Sequence, residues 1–292
     1  MKSSSPPKKT LQDFFSDFVH KMKESNEKQL YKGLNGLLIN EENKYKSLCM
    51  SNRLGLYSSG LYLSKTSKIK EVHFLKLYEK FQRSKTTEHV RLEILKTLSK
   101  SKCMFCEKRS GNDTLDHFLP KGQYPYLVVT PTNLISSCSI CNSKKRISGS
   151  VSFHPYFTDI NNLSFILCDV KIKVINKKYE LLTEYSFDNN TKVRVKNNIS
   201  KDLKQIFTSL NLKIRYSEYC AEYIDEKLYD WLVIASNSQN ELLEMLKREL
   251  QSLQRQYSQN SFLIPFYTCF IEKMETPTFY SDFKKIRYGD VV

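Results

Sequence analysis

The chain has 292 residues, 40% of them hydrophobic and 26% charged, and its 46 Lys and Arg against 31 Asp and Glu give a formal net charge of +15 at pH 7. This composition excludes collagen-like, fibrous and wholly disordered proteins. No apolar run approaches the roughly 18 to 20 residues that span a bilayer, and the start of the chain lacks the apolar core of a signal peptide. We therefore expect a cytoplasmic protein without a membrane segment. The charge makes nucleic acid the first partner to consider, although abundant lysine alone would also explain it.

The first hundred residues carry mostly helical patterns. Residues 1–9 are rich in Ser, Pro and Lys and predict a flexible basic tail. Apolar residues recur at intervals of three and four further along, with Thr10 as the expected N-cap of the first helix. The predicted helices cover residues 10–19, 71–81 and 87–99.

The second half of the chain begins with a different period. Apolar and polar residues alternate between residues 165 and 187, with an interruption at Asn176-Lys177-Lys178, and this predicts a β-hairpin. The helical pattern then returns, and a short apolar helix is expected between Pro265 and Pro277. The longer predicted helices cover residues 203–210, 213–235 and 239–257.

The eight cysteines fall into two groups. Four of them are scattered among apolar neighbours and should behave as small buried hydrophobic residues: Cys49, Cys168, Cys220 and Cys269. The other four form two Cys-x-x-Cys pairs separated by 31 residues, and they match the spacing of a four-thiolate zinc site: Cys103, Cys106, Cys138 and Cys141. Four unrelated cysteines and a redox pair are the alternatives. Because four thiolates complete the zinc tetrahedron, the predicted zinc is structural, and any chemistry must come from other residues.

Polar residues that suit hydrolytic chemistry lie beside or between the cysteine pairs. Asp116 and His117 stand next to each other, Asn133 follows in the same loop, and Asn142 comes directly after the last cysteine. Phosphodiester hydrolysis requires a base that deprotonates water and a cation that stabilises charge on the phosphate. Adjacent strand residues point to opposite faces, so Asp116 and His117 can serve one site only where the strand bends at its end.

The cysteine pairs with Asp-His, Asn and Asn between and after them resemble the HNH endonucleases of the His-Me finger (ββα-metal) superfamily, in the subtype with two zinc-binding knuckles. The resemblance covers about residues 103–156. It implies that His117 is the general base, that Asp116 and Asn142 bind a catalytic cation, and that Asn133 holds the loop and orients His117. Asn142 stands where the motif often has its last His, which favours Mg²⁺ or Mn²⁺.

Basic residues near this segment are candidates for contacts with a phosphate backbone. The candidate nucleic-acid-binding residues are Lys121, Lys144, Lys145, Arg146 and His154. His154 could instead pack in the turn before Pro155.

We predict an α+β, mostly helical protein in three segments: a helical N-terminal region (1–100), a zinc-stapled HNH core (101–158), and a β-hairpin with helices (159–292). Its predicted activity is hydrolysis of DNA. The overall plan also looks similar to nucleases of bacterial antiphage defence systems such as the nuclease subunit of Septu, which implies a partner ATPase. The alternatives are an inactive zinc-dependent module that binds nucleic acid or a partner protein, and a nuclease that acts on RNA.

Overall fold

The computed structural model describes residues 1–58, 70–96, 102–108, 113–145, 151–190 and 197–287. These residues form an α+β fold that is mostly helical, with two antiparallel two-stranded sheets in the described ranges. The predicted fold class is confirmed at this level. No helix within the described ranges combines the length and the apolarity needed to cross a bilayer.

The chain forms two compact units. The N-terminal unit comprises Ser3–Ile160 and Asn197–Asp202. The C-terminal unit comprises Met1–Lys2, Asn161–Lys196 and Leu203–Val292. The three-segment division given above stays a prediction.

The N-terminal unit begins with helices. Helix α1 (Leu11–Phe14) starts at a capping box, in which the Thr10 side chain accepts from the Asp13 backbone N–H and the Asp13 carboxylate accepts from the Thr10 N–H. The helix continues to Val19 as a π-helical turn. The predicted helix is therefore present, but its hydrogen bonds change from the α-helical to the π-helical pattern after Phe14. The helices that follow are α2 (Asn26–Met50), α3 (Glu71–Arg83) and α4 (Glu88–Lys96).

The apolar faces of these helices form one core. Phe14, Leu34, Phe74 and Ile94 lie in this cluster together with Leu134 from the second strand of the first sheet. The core thus places α3 beside the segment that carries the candidate residues.

The first sheet and the helix after it lie in this unit. Strand β1 (Asp113–His117) pairs antiparallel with β2 (Leu134–Cys138), so that His117 faces Leu134 across the sheet. Helix α5 (Ser139–Lys144) follows β2 without a loop. The order is strand, loop, strand, helix, with the candidate residues at the strand end, in the loop and on the helix.

The C-terminal unit is built on the predicted hairpin. Strands β3 (Ile166–Ile175) and β4 (Lys178–Phe187) pair antiparallel along their whole length. The helices are α6 (Asn197–Ser209), of which this unit contains the part from Leu203, then α7 (Leu212–Asn237), α8 (Gln239–Gln254), α9 (Leu263–Met274) and α10 (Pro277–Phe283).

Two prolines play different roles from those expected. The last apolar helix begins at Leu263, so Pro265 lies inside its first turn, where a missing N–H has no intrahelical partner to lose. Pro277 starts α10 instead of merely ending α9.

Candidate metal cluster and adjoining cleft

The four cysteines of the two Cys-x-x-Cys pairs come together. All are buried, and their Sγ atoms lie within 4.8 Å of one another. Sulfur atoms bound to one zinc at about 2.3 Å form a tetrahedron with edges of about 3.8 Å, and the Sγ atoms of Cys106 and Cys138 are 3.9 Å apart. The cluster therefore fits a metal such as zinc.

Backbone hydrogen bonds place each pair. In the first knuckle the Glu107 N–H donates to the Cys103 carbonyl at 2.9 Å, and Glu107 takes a left-handed conformation with φ 57°. The Met104 N–H donates to the carbonyl of Ser136, which ties this knuckle to β2. In the second knuckle Cys138 caps α5, because its Sγ accepts from the Cys141 N–H at 3.4 Å.

The surroundings of Cys138 also favour its deprotonated form. Hydrogen bonds from Cys103, Cys106 and Cys141 hold the pKa of Cys138 well below its usual range. A deprotonated sulfur is the form that binds metal.

A cleft of about 340 Å³ adjoins this region, and three of the four candidate catalytic residues line it: Asp116, His117 and Asn142. Tyr78, Lys121 and Lys145 line it as well. The structure therefore brings a histidine, a carboxylate and an amide to one cavity, although Asp116 and His117 are neighbours in a strand.

The His117 ring is fixed in one orientation. Its Nε2 lies 2.9 Å from the Val128 carbonyl oxygen, and its ring centroid is 4.5 Å from that of Tyr78. A carbonyl only accepts, so Nε2 carries the proton of the neutral ring and Nδ1 keeps its lone pair. Burial lowers the pKa of His117 to about 4, which keeps the ring neutral at pH 7.

Asn133 does not line the cleft but holds the loop that forms it. The residue is completely buried. Its Oδ1 accepts from the Leu119 N–H at 2.8 Å and from the Tyr45 hydroxyl at 3.1 Å, and its Nδ2 donates to the carbonyls of Leu119 and Leu127. Leu127 directly precedes Val128, whose carbonyl accepts a hydrogen bond from the His117 ring. Asn133 therefore fixes the backbone that holds this ring.

Asp116 and Lys145 form a buried ion pair. The Lys145 ammonium lies 2.6 Å from Asp116 Oδ2, and the two side chains are 3% and 8% exposed. Burial raises the pKa of Asp116, and the ammonium opposes that shift. Burial lowers the pKa of Lys145, and the carboxylate opposes that shift in turn. Lys145 also donates to the His117 carbonyl.

The amide of Asn142 is held by one hydrogen bond. Its Nδ2 donates to Thr114 Oγ1 at 3.0 Å, and Thr114 Oγ1 donates to the Ser137 carbonyl at 2.9 Å. The amide oxygen is thus the atom that Asn142 can offer to a cation.

The candidate phosphate contacts have different surroundings. Lys121 is exposed at the cleft, with its Nζ 5.4 Å from the centre of the Tyr78 ring. Lys144 is exposed on α5. The predicted role of Lys145 requires an outward ammonium, whereas the structure turns this group inward onto Asp116. Arg146 lies outside the described residues.

His154 is enclosed by aromatic rings. It has no exposed surface, its Nδ1 accepts from the Tyr156 N–H at 3.1 Å, and its ring centroid is 4.4 Å from that of Phe118. Burial lowers the pKa of His154 to about 3. A contact with nucleic acid would require this ring to be uncovered first.

Sequence reasoning missed two residues of this region. Tyr78 packs on His117, and Tyr45 hydrogen-bonds Asn133. Both lie on helical faces where an aromatic residue indicates core packing, so the sequence pattern held no signal of a second role.

Comparison with known proteins gives two partial similarities. A segment of 61 residues, 20% of this chain, is 43% identical to Septu protein PtuB of Bacillus thuringiensis. A segment covering 40% of the chain is 30% identical over 131 residues to Protein ea31 of Escherichia phage lambda. The matches span 23% and 44% of the lengths of these two proteins, which is less than two thirds of either. No protein-family profile and no solved structure matches the chain.

Proposed function

We propose that this protein is a metal-dependent endonuclease that hydrolyses phosphodiester bonds in DNA, with His117 as the general base. One observation carries the proposal: His117, Asp116 and Asn142 line a single cleft that also exposes Lys121. A base, oxygen ligands for a cation and a positive charge for the phosphate are the groups that this reaction requires.

His117 would take the proton from the attacking water. Its Nε2–H is engaged by the Val128 carbonyl, so Nδ1 is the atom that accepts. A pKa of about 4 makes the ring a weak base before substrate binds. The negative charge of a bound phosphate stabilises the imidazolium and raises this pKa toward the working pH.

Asp116 and Asn142 would hold the catalytic cation through a carboxylate and an amide oxygen, which are the ligands that Mg²⁺ and Mn²⁺ prefer. The cation would stabilise negative charge on the phosphate and on the leaving oxygen. The Lys145 ammonium already contacts Asp116 Oδ2, so the cation competes with this lysine for the carboxylate.

The similarity to Septu protein PtuB supports a role in antiphage defence. In such a system a partner ATPase would restrain or direct the nuclease. The similarity to a phage lambda protein shows that related segments are not confined to bacterial proteins.

Cleavage of supercoiled plasmid by the full chain tests this function. Nicking or linearisation should require Mg²⁺ or Mn²⁺ and stop in EDTA, under conditions where the protein retains one zinc. DNA should be cleaved in preference to RNA in a matched panel of substrates. Cleavage that continues at the same rate in EDTA, or the absence of cleavage of every substrate, contradicts the proposal.

The Asp116–Lys145 ion pair favours a second candidate, a module that binds nucleic acid without cleaving it. A carboxylate that is already neutralised by a buried lysine has less need of a metal ion. This candidate predicts DNA binding that is unchanged by Mg²⁺ and produces no cut strands.

A further inference from the structure

The C-terminal unit contains a cleft of its own, lined by basic side chains. It has a volume of about 660 Å³ and is formed by the turn between β3 and β4 and by the residues that follow α10. We name it the hairpin cleft. Its cationic residues are Lys177, Lys178, Lys284, Lys285 and Arg287, and all of them are exposed.

The remaining lining residues are also hydrogen-bond donors. Asn176 contributes an amide and Tyr179 a hydroxyl, so the lining residues that the structure describes include no aliphatic side chain and no carboxylate. Asp282 neutralises one cation, since its Oδ1 lies 2.7 Å from Lys285 Nζ, and the same Nζ lies 5.3 Å from the centre of the Tyr179 ring. The described side chains that line the cleft therefore carry a net positive charge.

This chemistry distinguishes between two classes of partner. The buried cores of protein–protein interfaces are apolar and depleted in lysine. Contacts to a nucleic-acid backbone come from Lys, Arg, Asn and Tyr side chains, the types found here. An anionic phosphodiester backbone therefore fits the hairpin cleft better than a protein surface does.

The conformation of the turn adds an independent observation. Ile175 pairs with Lys178, so the turn consists of Asn176 and Lys177, with φ values of 50° and 66°. A two-residue turn with both φ values positive favours Asn followed by Gly. A lysine in the left-handed region is strained, and such strain is typical of positions where the side chain serves a function.

The other side of the cleft has a simpler local explanation. Lys284 and Lys285 follow the C-terminal end of α10, where cations also offset the helix dipole. The hairpin lysines do not lie at a helix end, so Lys177 and Lys178 are the residues on which to test the cleft.

We propose that the hairpin cleft binds the phosphate backbone of duplex DNA, independently of sequence, as a contact separate from the cleft that holds His117. The choice of DNA rests on the proposed function. The C-terminal unit would then contribute to DNA binding, whereas the chemistry would belong to the N-terminal unit.

The test is the binding of a fluorescein-labelled duplex of arbitrary sequence, measured by fluorescence anisotropy with the full chain carrying His117→Ala, in EDTA. The variant Lys177→Gly/Lys178→Gln removes two charges, and its glycine also relieves the turn. The control Lys213→Gln/Arg255→Gln removes two exposed charges of the same unit outside the cleft.

The hairpin variant loses two phosphate contacts, so the magnitude of the slope of log affinity against log salt concentration should fall by about two. Binding should weaken roughly tenfold at moderate salt, and the loss should be equal for duplexes of unrelated sequence. The control should bind like the parent. Equal loss in both variants, or no loss in the hairpin variant, overturns this inference but not the nuclease function, which the plasmid assay tests separately. A protein that cleaves nothing but loses affinity in the hairpin variant alone overturns the nuclease function and keeps this inference.

Discussion

The cysteine cluster and the cleft beside it were both indicated by short motifs, but their side chains differ in the partners that they contact. The four sulfurs of the cluster lie within 4.8 Å of one another, at distances that suit a metal. In the cleft each group already has a protein partner: Asp116 has Lys145, His117 has Val128, and Asn142 has Thr114. The cluster therefore offers a metal a complete set of ligands, whereas a ligand of the cleft would have to compete with the partners that its groups already have.

Because of this difference, we expect substitutions in the cluster and substitutions in the cleft to have different effects. Changes in the cluster should act on folding, because structural zinc contributes folding energy directly. Changes in and beside the cleft should act on chemistry, or on stability through lost ion pairs and hydrogen bonds, without loss of the metal.

The largest effect is expected for Cys141→Ser. Structural zinc contributes about 10 to 16 kcal/mol of binding energy in zinc-finger peptides, so loss of one thiolate should release the metal and unfold the segment around α5. Zinc content by elemental analysis and limited proteolysis measure both changes. Cys49→Ala is the matched control, since Cys49 is also buried in the N-terminal unit but lies outside the cluster. A Cys141→Ser protein that retains one zinc per chain would falsify the four-thiolate site.

A smaller effect should follow Lys145→Met. Removing one partner of a buried ion pair leaves the Asp116 carboxylate uncompensated, which typically destabilises a protein by about 3 to 5 kcal/mol. Millimolar Mg²⁺ should restore part of this loss, because the cation now binds Asp116 without competition. Denaturant unfolding with and without Mg²⁺ measures both effects. Lys144→Met, an exposed neighbour, should leave stability unchanged; equal stability of the two variants would show that the pair contributes nothing.

Asn133→Ala should cost about 3 kcal/mol, because it leaves the buried Leu119 N–H and two carbonyls without the partner that they have now. Thermal unfolding checks the loss of stability. Asn142→Ala removes one hydrogen bond from a half-buried side chain and should be milder. Should Asn142→Ala prove the more destabilising change, Asn133 is not what holds the loop.

The smallest effect concerns acid stability. His154 has a pKa of about 3 in the fold against about 6.5 when unfolded, so the unfolded state binds more protons between these values. The stability that neutral His154 contributes is complete above pH 6.5 and declines as the pH falls, by about 1.5 kcal/mol between pH 6.5 and pH 5.

His154→Asn cannot titrate in this range and keeps an acceptor for the Tyr156 N–H. Its unfolding free energy, measured at a series of pH values, should fall less steeply than that of the wild type. His117 contributes a similar decline in both proteins because burial lowers its pKa to about 4. Parallel pH curves for the two proteins would contradict the buried neutral state of His154.

The sequence predicted the features that depend on local spacing. The hairpin of β3 and β4, the N-cap at Thr10 and the four-cysteine cluster each follow from residues close together or from a repeated motif. It did not predict α2, whose 25 residues include eight that are buried along its length, because its apolar positions are diluted by polar ones.

Within the cleft, residue types were predictable but contacts were not. The resemblance to HNH endonucleases implied a strand end for Asp116 and His117. The partners that fix these residues come from α3, from the loop at Val128 and from the residue after α5. Such pairings depend on tertiary packing. Lys145 shows this most clearly, since its position beside exposed Lys144 suggests a surface residue.

The proposed function requires His117 to perform the chemistry of the cleft and to take no part in holding the metal at the four cysteines. The most direct measurement compares the rate of duplex cleavage by His117→Ala with that by His89→Ala, whose ring lies at the surface beside Asp17, in preparations of equal zinc content. We predict that His117→Ala loses about 100- to 10,000-fold in rate, as expected when a general base is removed, and that His89→Ala cleaves like the wild type. A His117→Ala protein that holds its zinc and cleaves at the wild-type rate would contradict the proposed role of His117 as the general base.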